Sequence, residues 1–179
     1  MTTPGFLGTV FVGTSLDGFI ARPDGALDFL HAGGTEDHGF TELLKSVDVI
    51  VMGRHTWETV LGFGGWPYGA TPVVALSSRP LKRPAAAEAV FEQMAGTPEA
   101  VAERLVERGW RRAYVDGGVT IQRFLAAGLI RRLVVSRVPV LIGQGIPLFG
   151  PLTRDIPLRH VATRAFPGGL VQSEYAITD

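Results

Sequence analysis

Arg54 and His55 stand where an apolar run ends and helical spacing begins, a position suited to holding a phosphate. The run Val49-Ile50-Val51-Met52-Gly53 is continuous, as a strand buried on both faces must be, and Trp57, Val60 and Leu61 follow at helical intervals. A strand therefore feeds a helix with almost no loop, and Gly53 lets the backbone turn tightly. The first amides of such a helix have no partners within it, so the junction is electropositive before either cation is counted. Leu76-Ser77-Ser78-Arg79 ends another apolar strand with two hydroxyls and a guanidinium, groups that suit a phosphate monoester. Gly117-Gly118 lies between a strand and a helix, where two residues without Cβ let backbone approach a ligand closely. Each feature has a plainer alternative: two solvated cations, an ordinary Ser-Arg turn, and a glycine turn chosen for packing.

These groups hang on a regular alternation of elements. Residues 7–14 read as a first strand, and Phe40, Leu43, Leu44 and Val47 mark a helix leading into the strand at 48–52. Residues 72–77 form a third apolar run and 89–91 a short fourth. Thr97-Pro98-Glu99 opens a helix with an N-cap and Pro at its first position, closed by Gly109. Residues 113–115 form a strand, followed by a helix bearing Ile121, Phe124 and Leu125 and closed by Gly128, and then a long strand at 133–140. Beyond Gly150 the pattern is all-β, with 158–166 and 170–177 flanking Pro167-Gly168-Gly169 as a hairpin. The order implies an α/β fold with a mostly parallel sheet, helices on both faces and an antiparallel C-terminal edge. The first strand runs into Ser15-Leu16-Asp17-Gly18 and not into G-x-G-x-x-G, which argues against a Rossmann oxidoreductase.

A chain of 179 residues fits one domain, spanning 1–179. Seventeen basic and seventeen acidic residues cancel, leaving no general field for nucleic acid or an anionic membrane. The absence of cysteine excludes disulfides, thiol catalysis and cysteine-held metal. The four His residues show no ligand spacing, so no metal site is expected. The start lacks a basic region followed by an apolar core and a cleavage site, and no apolar run reaches membrane length. A soluble cytoplasmic protein acting on a small molecule is the expectation.

Five places in order resemble dihydrofolate reductases: Thr14-Ser15-Leu16-Asp17-Gly18-Phe19-Ile20-Ala21, the Met52-Gly53-Arg54 strand end, Leu76 to Arg79, Val115-Asp116-Gly117-Gly118, and residues 138–149. The Ser-Leu-Asp-Gly start and Gly143-Gln144-Gly145-Ile146-Pro147-Leu148-Phe149 are more similar to a sister branch. That branch holds the reductase domain of bifunctional riboflavin-biosynthesis deaminase-reductases and their stand-alone relatives. The zinc deaminase half is excluded here, since no cysteine is present. The resemblance implies a three-layer α/β/α dihydrofolate reductase-like fold and an NADPH cofactor. It assigns Arg54, Arg79 and Ser78, with Ser77 beside them, to the adenosine 2′-phosphate. His55 and Thr56 go to the pyrophosphate or ribose, and Gly117, Gly118, Val119, Thr120 and Ile121 to the nicotinamide and pyrophosphate. Ile20, Ala21 and Gly53 complete the implied cofactor set.

Hydride reduction of an imine-like bond needs a proton source near the acceptor nitrogen. Counted back from Arg54 at the family's spacing, the resemblance points to Asp37, with Glu36 adjacent, on the helix before the Met-Gly-Arg strand. Both also fit a plainer role as first-turn acids that complement the helix dipole. Asp28 is a third candidate, and Asp17 reads as a turn residue bound to its own backbone. Two departures count against a true folate reductase. Thr71 stands where those enzymes hold the folate carboxylate with Arg, and residues 24–30 lack the Trp of their substrate loop. A sugar-phosphate substrate would need cations, for which Arg137 and His160 are available.

The expected function is NADPH-dependent reduction of a small pyrimidine- or pterin-like heterocycle, in the manner of the 5-amino-6-(5-phosphoribosylamino)uracil reductases of riboflavin biosynthesis. The alternatives are a dihydrofolate or pterin reductase and a non-catalytic NADPH-binding module. The apolar stretch 133–149, with Val134, Val138, Val140 and Ile142, reads as an uncovered edge. The riboflavin-type relatives are commonly homodimers, so a two-fold homodimer is expected.

Overall fold

Val49 and Val51 face one side of a sheet and Ile50 and Met52 the other, and all four are fully buried. Such a strand must be covered by helices on both faces. A computed structural model describes residues 5–34, 36–83 and 91–178 and shows that covering.

The main sheet is built from β1 (Leu7–Thr14), β3 (Val49–Gly53), β4 (Val73–Leu76), β5 (Phe91–Met94), β6 (Arg112–Asp116), β7 (Ile130–Arg137), β9 (Leu158–Ala165) and β10 (Val171–Ile177). Among the described residues the order is β5-β4-β3-β6-β1-β7-β10-β9. Pairing is parallel from β5 through β7, and β10 is antiparallel to both β7 and β9. The C-terminal hairpin turns through Phe166 and Leu170, whose backbones pair at 2.9 Å. A second small sheet joins β2 (Phe19–Ala21) to β8 (Ile146–Pro147).

Helices α1 (Phe40–Ser46) and α2 (Arg54–Leu61) cover one face. There Leu43, Trp57 and Val60 pack on Ile50, Met52 and Val73. Helices α3 (Pro98–Glu107) and α4 (Gly118–Ala126) cover the other, burying Val101, Leu105, Ile121 and Phe124 against Val49, Val51 and Val115. Cutting Phe124 or Leu105 to Ala would open a cavity costing about 2–5 kcal/mol.

The chain follows the three-layer α/β/α, dihydrofolate reductase-like plan with its antiparallel hairpin. One expected edge is corrected. β7 (Ile130–Arg137) lies between β1 and β10, so Leu133 and Val134 are buried inside the sheet, as is Val138 just past its end, whereas Leu141, Ile146 and Phe149 of the same stretch are exposed. Of the short run at 89–91, residues 89 and 90 lie outside the described residues, and Phe91 opens β5.

Candidate active site

The four helix starts of this fold are served differently. Asp37 accepts the amides of Gly39 at 3.2 Å and Thr41 at 3.1 Å, at the start of α1. Thr97 caps α3 by accepting the Ala100 amide at 3.3 Å. Helices α2 and α4 have no side-chain cap at all. Their first amides remain available to a ligand, and both helices begin on one cleft.

That cleft, of about 920 Å³, runs across the C-terminal ends of β1, β3, β4 and β6. Strand ends at this edge are the usual ligand site of an open α/β sheet. It brings together Ile20, Ala21, Gly53, Arg54, His55, Thr56, Ser77, Ser78, Arg79, Gly117, Gly118, Val119 and Thr120 from the implied cofactor set. Ile121 is the exception. It is buried in the α3/α4 core, and only its amide, bonded to Gly117 O at 2.8 Å, touches the turn.

Several of these residues act first on one another. The Ser77 hydroxyl donates to Arg79 O at 2.7 Å and accepts the Arg79 amide at 3.0 Å, so it shapes the turn that presents Arg79. Gln93 of β5 pins the same turn, donating to Ser77 O at 2.9 Å and Arg79 O at 2.8 Å. Arg54 pairs with Glu58 one helical turn on, at 3.3 Å. Gly53 is extended, with φ −77°, so no turn requires it. Its smallness matters instead because a Cβ there would stand 2.8 Å from Thr120 Oγ1. Gly117 has φ +93°, where side chains are strained, and a Cβ would strike Thr56 Oγ1. At Gly118 a Cβ would meet Ile20 Cδ1 at 2.8 Å.

The small sheet holds Ile20 there. Asp17 accepts the amides of Ile142 at 3.3 Å and Gly143 at 2.8 Å, so it ties the Gly143-Gln144-Gly145 loop to its own Ser15–Gly18 turn. Those bonds, with Ser15, keep its carboxyl below the ordinary range. Gly145 packs so closely on Ala21 O that a Cβ would collide with it. The loop thus braces β2 over the start of α4.

None of the three acids considered as proton donors reaches the cleft. Asp37 and Glu36 are exposed, and Asp37 is engaged by Thr41 and Gly39, bonds that hold its carboxyl down. It is a helix-start acid, because those amides need an acceptor and its side chain is short enough to supply one. Asp28 is exposed and paired with Arg22 at 2.6 Å. The acid on the cleft wall is Asp116, which lies between Val115 and Gly117 in the quoted motif. Burial raises its carboxyl, against the opposing effects of the Gly117 amide and Tyr114. Tyr68 and Tyr114 also line the cleft, and both hydroxyls are pushed up by burial first and by the Asp116 charge next. Tyr114 donates to Phe11 O at 3.2 Å, which fixes its ring against β1. Arg123 of α4 also lines the cleft. Arg137 is exposed and His160 bonds Thr163 Oγ1 at 2.7 Å; neither lines it.

Residues 7–172 match the RibD C-terminal domain family. The chain belongs to that family. A crystal structure from Shewanella sp. PV-4, named for riboflavin biosynthesis, is 38% identical and superposes with a TM-score of 0.88, over 96% of this chain and 99% of that one. The diaminohydroxyphosphoribosylaminopyrimidine deaminase/5-amino-6-(5-phosphoribosylamino)uracil reductase of Thermotoga maritima is 18% identical, with a TM-score of 0.69 over 97% of this chain and 56% of that one. Dihydrofolate reductase from Enterococcus faecalis, solved with NADP(H), is 18% identical, with a TM-score of 0.66 over 98% of both chains. No helix among the described residues is long and apolar enough to cross a membrane.

Proposed function

We propose that this chain is an NADPH-dependent reductase of a small heterocycle. The observation that carries the reading is what one cleft brings together. Two bare helix starts stand there with Arg54, His55, Ser78 and Arg79, and at the start of α4 lies a half-buried acid, Asp116, near Tyr68 and Tyr114. The donor set fits a dinucleotide phosphate. Uncapped amides suit the diphosphate, and two guanidinium groups suit a 2′-phosphate. The Enterococcus reductase, which shares the fold, was solved with NADP(H).

NADPH supplies the hydride when bound. Asp116 supplies the proton, so a C=N bond gains hydride at carbon and H⁺ at nitrogen, and the nicotinamide is oxidised. Burial suits Asp116 to this, since a raised carboxyl keeps more of its proton near neutral pH than an exposed one. Leu27, Leu30 and Val60 line the cleft with apolar surface that excludes competing water. Thr71, whose amide donates to Tyr68 O at 3.1 Å, does not line the cleft and supplies no cation for a folate carboxylate.

Titration with NADPH and NADH tests the cofactor. NADPH should bind about tenfold or more tightly, and Arg54→Ala should remove most of that difference. Arg54 is on a helix surface, where it meets the side chains of Glu58 and His55, so the variant should fold. Equal affinities in the unaltered protein would overturn the assignment.

A further inference from the structure

One face of α2 lines the cleft along its length, through Thr56, Thr59 and Val60, and Phe63 continues it beyond the helix end. The spacing is that of a single helical stripe. It starts beside Arg54 and His55 and ends in apolar side chains, about 13 Å further on at 1.5 Å per residue. Toward that far end Phe11, Leu30, Val60, Phe63 and Tyr68 form the walls, and Asp116 lies on the same cleft at the start of α4.

Among the described residues four cations line the cleft, and they are carried by other elements than the far end of α2. Arg54 and His55 are in the first turn of α2, Arg79 follows β4, and Arg123 is on α4, across the sheet from α1 and α2. The segments outside the described residues (1–4, 35, 84–90 and 179) contain no Lys, Arg or His, so they bring no further cationic side chain. A neighbouring cavity of about 340 Å³ shares Phe11 with the cleft and holds Arg132 and Arg164. It also holds Glu42 and Glu174, and Arg132 is paired with Glu174 at 2.7 Å. Its two guanidinium groups stand against two carboxylates, and His38 lines it as well.

Building on the reductase reading above, we propose that the substrate is a flat, uncharged heterocycle without a phosphate group. A phosphate monoester carries close to two negative charges at neutral pH and must lose water to enter a closed site. Proteins offset that loss with Arg, Lys or bare amides, and the apolar chamber offers none of these. Phe11, Phe63 and Tyr68 suit the faces of an aromatic ring, and Asp116 suits a ring N–H. This reading separates the chain from the phosphoribosyl substrate named for the Thermotoga relative.

The test uses a matched pair, 5-amino-6-ribosylaminouracil and its 5′-phosphate, titrated calorimetrically into the full chain with and without saturating NADPH. The nucleoside should bind at least tenfold more tightly than the phosphate. Phe63→Arg, a change at an exposed rim position, should narrow or reverse that preference by supplying the missing cation. Tighter or equal binding of the phosphate by the unaltered protein overturns the proposal. Failure of the nucleoside, together with an unsubstituted pterin and a quinazoline, to bind at all also overturns it. NADPH affinity is measured separately in the same series. Its absence would sink the reductase reading, whereas phosphate preference with normal NADPH binding would sink only the substrate class.

Discussion

The Asp116 carboxylate accepts the backbone N–H of Gly117 at 2.8 Å, at the point where β6 becomes α4. The bond joins the one acid on the cleft wall to the turn that starts a ligand-facing helix. An acid so placed carries both an activity and a cost in stability.

Asp116→Asn separates the two. Because burial raises the folded-state carboxyl, the native chain holds a proton that the unfolded chain has released once pH passes about 3.8. The contribution of Asp116 to stability is therefore fully present below that pH. It is lost as pH rises toward the raised folded value. An amide has no such loss, so Asp116→Asn should be more stable than the parent at pH 7. A gain of about 1 kcal/mol corresponds to about 2–4 °C in melting temperature. Turnover should fall by about 10²–10⁴-fold with NADPH affinity nearly unchanged. A variant that melts lower at pH 7 and keeps its turnover would remove Asp116 as the proton donor.

Asp37→Ala is the matching control. Its carboxylate accepts from Thr41 and Gly39 in front of α1, so its loss should cost about 1 kcal/mol, as for other helix caps. Turnover should stay within about twofold. Burial does not govern Asp37; its hydrogen bonds lower the carboxyl. Its stabilising effect is thus present above about pH 3.8 and fades as pH falls below it. Parallel melts at pH 7 and pH 3 check the sign. A large loss of turnover at full stability would return Asp37 to the active site.

The contrast between Asp37 and Asp116 shows what the sequence makes legible. β1 is readable to the residue, because alternation across 7–14 and the Ser-Leu-Asp-Gly turn after it are both local. Both strands of the hairpin are readable for the same reason, as their turn residues fall between two apolar runs. The phosphate-suited residues are legible too, because strand ends and helix starts fix where Arg54, Ser78 and Gly117 must lie. The acid is not. Asp37 has the family's spacing and also the place of a helix-start acid, and only its bonds to the Gly39 and Thr41 amides decide between the two. Asp116 sits in an apolar strand among Tyr68 and Tyr114, and its burial depends on residues far away in sequence. Gly53 and Gly145 are small for a related reason: each faces backbone or side chains from a distant element. β2 and β8, three and two residues long, leave no periodicity to read.

Assembly into a homodimer remains the expectation, on a different surface from the stretch at 133–138. Among the described residues one of the two edges of the sheet is β9, with Leu158 and Val161 exposed, and Val171 is exposed on β10 beside it. An eight-residue edge strand with apolar side chains is a natural place for a second copy. Light scattering at micromolar concentration should give twice the chain mass, and Val161→Lys should shift it toward the monomer. A monomeric mass in the unaltered protein would dispose of the dimer.

Gly117 and Gly118 should fail in different ways when each is changed to Ala. Gly117 has φ +93° and its added Cβ would strike Thr56, so Gly117→Ala should lower stability by about 1–3 kcal/mol before any ligand is considered. Gly118 has no positive φ, and its nearest obstacle is Ile20 Cδ1 at 2.8 Å, the far end of a flexible side chain. Gly118→Ala should therefore leave the melting temperature within a few degrees of the parent. Its effect falls on the cleft, since both Gly118 and Ile20 line it. NADPH titration of Gly118→Ala beside the double variant Gly118→Ala/Ile20→Val then separates two causes. If the glycine serves close approach of the dinucleotide, binding weakens in the single variant and stays weak in the double, whose shorter side chain relieves only the clash with the protein. Recovery of binding in the double variant would assign Gly118 to packing against Ile20 alone.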